Sequence, residues 1–99
     1  MSLLANVKAA LRISSTAFDT TEIQPLIDSA KADMVLCGIT TVKANDETND
    51  LIVRAITTYC KANFGYNNPD ADKLQQSYEM LRNHLSLSIE YNGGDSDAV

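Results

Sequence analysis

The stretch Ala62-Asn63-Phe64-Gly65-Tyr66-Asn67-Asn68-Pro69-Asp70 ends one amphipathic helix and starts another within a few residues. Gly65 stands where a helix C-terminus favours a residue that adopts positive φ. Asn68 can cap the following helix. Pro69 suits a first turn, where an N–H would be unpaired anyway. Such a hinge fixes the relative direction of two helices without using a catalytic side chain.

The helix before the hinge is predicted from about Glu47 to Phe64, with Leu51, Ile52, Ala55, Ile56, Tyr59, Cys60 and Phe64 on one face. Its apolar face is the widest in the chain, which marks it as the central helix. Asp50 and Arg54 are spaced for an i,i+4 pair. The helix after the hinge runs from Pro69 to about Ser88 on a stripe of Ala71, Leu74, Tyr78, Leu81 and Leu85. Asp70 and Asp72 sit at its N-terminus, where the helix dipole favours acids.

Two helices precede this pair. The first runs from Ser2, a candidate N-cap, to Arg12 on the stripe Leu4, Val7, Ala10 and Leu11. The second is signalled by Asp19-Thr20-Thr21-Glu22, close to a capping box. Its stripe is Ile23, Leu26, Ile27, Ala30, Met34 and Cys37, and Gly38 ends it. Pro25 falls early enough to be tolerated, though its ring limits how far upstream regular hydrogen bonding can begin. Ile39-Thr40-Thr41-Val42 has strand-like β-branched character, so a short β-arm, a hairpin or a plain loop all fit there. Around Ser88 the pattern changes: Leu87, Ile89 and Tyr91 alternate with Ser88 and Glu90 and suggest a short extended segment. The expected fold is therefore all-α: a small bundle of about four helices over residues 1–91, followed by an acidic tail, 92–99, that is expected to be disordered.

A chain of 99 residues makes one domain. It buries somewhat more than ~60% of its unfolded surface, enough for one modest core. No run resembles a secretory signal or reaches membrane-spanning length, and the chain is expected to stay where it is made. The net charge is −5. Between Asp19 and Gly38 four acids face Lys31 alone, and Glu90, Asp95 and Asp97 add more negative charge at the C-terminal end. A protein that grips phosphates needs a concentrated basic face, so tight nucleic-acid binding is disfavoured. Cys37 and Cys60 both fall on predicted apolar faces and read as reduced core residues, with a disulfide as the alternative.

Enzyme chemistry lacks its parts. His84 is the only histidine, near the end of the last long helix, and no serine motif, phosphate loop or paired metal-ligand spacing accompanies it. Asp46, Glu47 and Asp50 suggest a calcium loop only weakly, because the required glycine and the closing glutamate are missing. No cofactor or metal is expected. Tyr59 and Tyr78 read as core. For Tyr66 in the hinge and Tyr91 beyond the last helix, core anchoring and partner contact fit equally. Met80 and Leu87 lie off the main row of their helix, a mild sign of a second buried surface such as a subunit interface.

Taken in order, the segments from Val7-Lys8-Ala9-Ala10-Leu11-Arg12-Ile13 through Phe18-Asp19, Ile23-Gln24-Pro25-Leu26-Ile27-Asp28-Ser29-Ala30-Lys31-Ala32-Asp33, Leu51 to Gly65, Asn68-Pro69-Asp70 and Ser77-Tyr78-Glu79-Met80-Leu81 carry a resemblance. The chain resembles the small head–tail connector proteins of tailed bacteriophages and prophages, also called DNA-packaging or head-completion proteins. The resemblance spans about Leu3 to Tyr91 and leaves out the acidic tail. It implies an α-helical structural protein that forms a homo-oligomeric ring, typically dodecameric, beneath the portal. It would extend the DNA channel and dock the next head-completion or tail protein at the virion head–tail junction, after assembly in the host cytoplasm. DNA would pass through without tight binding, helped by a lumen whose negative charge repels phosphates; Asp28 and Asp33 are the candidate channel-facing acids. Ile39, Val42, Tyr66, Met80, Leu87, Ile89 and Tyr91 are the candidate oligomer or partner contacts. The competing reading is a small helical DNA-binding or regulatory protein of helix-turn-helix type. Against it, Asp70 and Asp72 start the would-be recognition helix.

Overall fold

A computed structural model describes residues 2–65 and 68–93. Among them are six α-helices, one π-helical turn and no strand: α1 (Leu3–Leu11), the π-turn (Asp19–Ile23), α2 (Gln24–Leu36), α3 (Thr41–Ala44), α4 (Asp50–Asn63), α5 (Ala71–Leu87) and α6 (Ile89–Asn92).

Ser2 caps α1 as its sequence position suggests, its hydroxyl accepting from the Ala5 N–H at 3.1 Å. The helix closes on Arg12, which takes φ 60°. There Arg12 N–H reaches the Ala9 carbonyl at 3.1 Å and Ile13 N–H reaches that of Lys8 at 2.9 Å.

The expected Asp19–Glu22 capping box does not form. Pro25 has no N–H, and in a regular α-turn its ring would strike the carbonyl of Thr21. The backbone upstream widens instead, so that Ile23 N–H bonds the Phe18 carbonyl five residues back at 2.9 Å. Asp19 is turned toward α1, where Lys8 Nζ lies 3.1 Å from Oδ1 and 3.3 Å from Oδ2.

The connector for which a β-arm, a hairpin and a plain loop all fit by sequence, and the segment near Tyr91 expected to be extended, each hold a single helical turn. Thr40 overrides the β-branched composition around it: its Oγ1 accepts from Lys43 N–H at 3.3 Å and starts α3. These turns, α3 and α6, are fastened together by the Thr40 N–H, which donates to the Tyr91 carbonyl at 2.9 Å. Asn49 joins the same corner. Its Oδ1 caps α4 by accepting from Leu51 and Ile52 N–H at 3.0 and 3.2 Å, while its Nδ2 donates to the Tyr91 hydroxyl at 3.1 Å. Just upstream, Asp46 Oδ1 accepts from the Thr48 hydroxyl and N–H, which together hold its carboxyl below the usual aspartate range. That turn moves the start of α4 from the expected Glu47 to Asp50.

At the hinge, Gly65 takes φ 79° as the sequence predicts. Asn68 spans the gap, donating from Nδ2 to the Lys61 carbonyl at 2.8 Å and accepting from Asp70 N–H at 3.0 Å. The core gathers Val7, Ile23, Ile27, Ala30, Met34, Ile52, Ala55, Ile56, Cys60, Tyr78 and Leu85. Helix α4 packs against α1, α2 and α5, so it is the central helix. Each large apolar side chain buried there contributes about 1.5–3 kcal/mol. Tyr59 and Tyr78 meet edge to face with ring centroids 5.0 Å apart. Cys60 is buried, but Cys37 is exposed and free: α2 ends at Leu36, so the helical stripe no longer governs where residue 37 points.

Candidate functional site

The helix ends bring several apolar side chains into water at one end of the bundle. Thr40–Tyr91 pairing places the α2–α3 connector beside α6, and α5 runs directly into α6. At this end Leu36 is 86% exposed, Val42 80%, Leu87 79% and Ile89 60%. Val42 and Ile89 project from one-turn helices too short to bury both faces. Leu87 is the last residue of α5. Lys43 lies over the Tyr91 ring at 5.4 Å and within 3.9 Å of Glu90, giving the patch a charged edge.

Of the contacts expected from sequence, Val42, Met80, Leu87 and Ile89 are exposed, Met80 at 63%. Ile39 and Tyr91 are enclosed by the chain itself. Ile39 follows Gly38, whose φ of 112° folds the chain back onto the core, and Tyr91 is held by Asn49 and Thr40. Tyr66 lies outside the described residues.

Two open grooves mark the flanks. One of about 330 Å³ lies where the π-turn and the start of α2 face the end of α4, between Glu22, Pro25, Leu26, Asn63 and Phe64. The other, about 430 Å³, runs between α4 and α5 and is lined by Leu51, Arg54, Met80, Leu81 and His84. No group of three His, Cys, Asp or Glu side chains able to hold a metal is found among the described residues.

The two candidate channel acids are differently placed. Asp28 is exposed and accepts from Gln24 Nε2 at 3.0 Å. Asp33 is only partly exposed. Its Oδ2 accepts from the Tyr78 hydroxyl at 2.5 Å and from Arg82 Nη1 at 2.9 Å. Burial, reinforced by this hydrogen bond, raises the Tyr78 phenol well above the usual tyrosine range, so it remains a donor. Burial alone pushes the Cys60 thiol up to about 12. Asp70 and Asp72 are both exposed at the start of α5.

The sequence profile of the family described as Phage connector protein matches residues 3–92, nearly the whole chain. The chain belongs to the phage connector family. No curated protein and no solved structure gives a match. As a phage connector it is a structural component of the virion head–tail junction and assembles with other phage head and tail proteins. No helix of the described residues is long and apolar enough to cross a membrane.

Sequence reasoning missed several exposed apolar residues of this connector: Leu36, Val35 and, at 42% exposure, Phe18 and Leu51. Leu36 lies off the stripe of α2 just as Met80 lies off that of α5. Applying the off-stripe criterion to every helix would have found it.

Proposed function

We propose that the connector assembles as a closed homo-oligomeric ring, dodecameric when complete, beneath the portal. There it extends the DNA channel and joins the capsid to the next head-completion or tail protein. The observation that carries this reading is the family match over residues 3–92. The apolar end formed by Leu36, Val42, Leu87 and Ile89 supports it, since covering large apolar side chains is a main driving force of association.

Val42, Met80, Leu87 and Ile89 are the proposed contacts to a neighbour or to the next component, and Tyr66 in the hinge is a further one. Ile39 and Tyr91 serve this surface from within, by fixing α3 and α6 in place. The net charge of −5 suits a lumen that repels phosphates and lets the duplex slide. Asp33 adds little free charge to such a lumen, because Arg82 pairs with it.

Native mass spectrometry over a concentration series, with imaging of any large species, tests the proposal. A closed ring with a central hole is the expected result. A chain that stays monomeric and also fails to bind its portal would overturn it.

A further inference from the structure

Helix α2 is apolar on two sides. Ile23, Ile27, Ala30 and Met34 face the core, while Pro25, Asp28, Ala32, Val35 and Leu36 are all exposed. Residues 25, 28, 32, 35 and 36 recur at helical spacing, so they form one outward stripe. A helix with apolar residues on both faces is ordinarily covered on both. The small Ala32 side chain in the middle of the stripe allows another backbone to approach closely.

The α4–α5 groove offers a matching surface on a different side of the molecule. Leu51 and Met80 give it apolar walls, at 42% and 63% exposure. Arg54 gives it a cation. Lys8, Lys31, Lys43 and Arg82 are each within ion-pair distance of an acid, whereas Arg54, like Arg12, Lys61 and Lys73, forms no ion pair among the described residues; of these four, Arg54 is the one that lines this groove. Asp50, one turn earlier, does not reach it. Asp28 on the α2 stripe is its counterpart: an exposed carboxylate whose hydrogen bond comes from the neutral Gln24 side chain. Charge and apolar character therefore complement each other between the two surfaces.

We infer that the outward stripe of α2 on one copy of this chain docks into the α4–α5 groove of the next copy. Asp28 meets Arg54 of that copy, and Val35 and Leu36 cover its Leu51 and Met80. The inference rests on the ring reading and deepens it. A contact between two different patches is heterologous, the kind that closes rings when the rotation per subunit allows. It also puts Asp28 at the boundary between subunits, which leaves the charge of the lumen to other exposed acids.

The test uses two full-length variants in a Cys37→Ser background, Leu36→Cys and Met80→Cys, carrying different tags. They are mixed and treated with a short bis-maleimide. The expected product is a covalent pair containing one of each, formed in the mixture far more than in either variant alone. Adding Asp28→Arg or Arg54→Asp should lower its yield about tenfold, and combining the two should restore it. A mixture that gives no more product than the single variants, or one indifferent to both charge reversals, would overturn the inference. Imaging separates the two levels of the account. Closed rings without the 36–80 link leave the ring standing and reject this contact. The link in open filaments alone keeps the contact and rejects the ring.

Discussion

Tyr78 and Asp33 meet across the boundary between α5 and α2, the phenol donating to Oδ2 at 2.5 Å. Arg82, one turn further along α5, donates to the same oxygen at 2.9 Å and lies 5.6 Å from the Tyr78 ring. The two long helices are thus tied by a polar clasp laid over the core. Tyr78→Phe removes one of the two bonds to the carboxylate and should cost about 1 kcal/mol. Asp33→Ala strips both donors of their acceptor and should cost about 1.5–3 kcal/mol. Urea unfolding compares the variants; an Asp33→Ala midpoint equal to that of the parent would mean the clasp holds nothing.

Alkaline pH should loosen the fold in a defined window. The Cys60 thiol has an ordinary value of 9.0 and is pushed up to about 12 by burial. A raised value means that the unfolded chain loses this proton first. The contribution is complete below about pH 9 and disappears as pH rises through about 12. Tyr78 is shifted in the same direction. Stability measured from neutral pH upward should fall across that range, and a flat profile would contradict the burial of both groups. In the folded protein a thiol reagent should modify Cys37 promptly and Cys60 only on unfolding.

Ile56 and Leu36 are large aliphatic side chains with opposite surroundings, fully buried and 86% exposed. Ile56→Ala should cost about 2–5 kcal/mol through lost burial and the cavity left behind. Leu36→Ser should stay within about 0.5 kcal/mol in the monomer. A large loss for Leu36→Ser in the monomer would show that this end is covered by the chain's own residues.

Arg12 holds a left-handed conformation that costs a non-glycine residue about 1–2 kcal/mol. Gly adopts it freely, so Arg12→Gly should gain up to about 1 kcal/mol after its extra unfolded-state entropy is counted. A β-branched Val there should instead destabilise. Thermal unfolding of the two variants checks the order.

The long helices were legible because their stripes repeat over several turns: Ile27, Ala30 and Met34, or Ile52, Ala55, Ile56 and Cys60. At the hinge Gly65 was legible from its place after α4, but Asn68 does not cap α5: it bonds the Lys61 carbonyl and the Asp70 N–H, and the helix starts only at Ala71, beyond Pro69. What escaped depends on distant partners or on segments too short to show a period. One turn at Thr41–Ala44 cannot be told from a strand by pattern, and only the Thr40 cap decides it. Tyr91 meets Thr40 and Asn49 across more than forty residues, so no local signal marks it as core. The same holds for Asp33, which reads as a surface acid until α5 is packed beside it. Cys37 shows the opposite failure, a periodic pattern carried one residue past the helix that supports it.

The central claim is that this connector forms a ring on the portal. Electron microscopy of the full chain mixed with the portal protein of its own phage tests it most directly. A closed ring seated coaxially on the portal, with the duplex-wide channel continuing through both, is the predicted result. Portals that remain bare while the chain stays monomeric would contradict it.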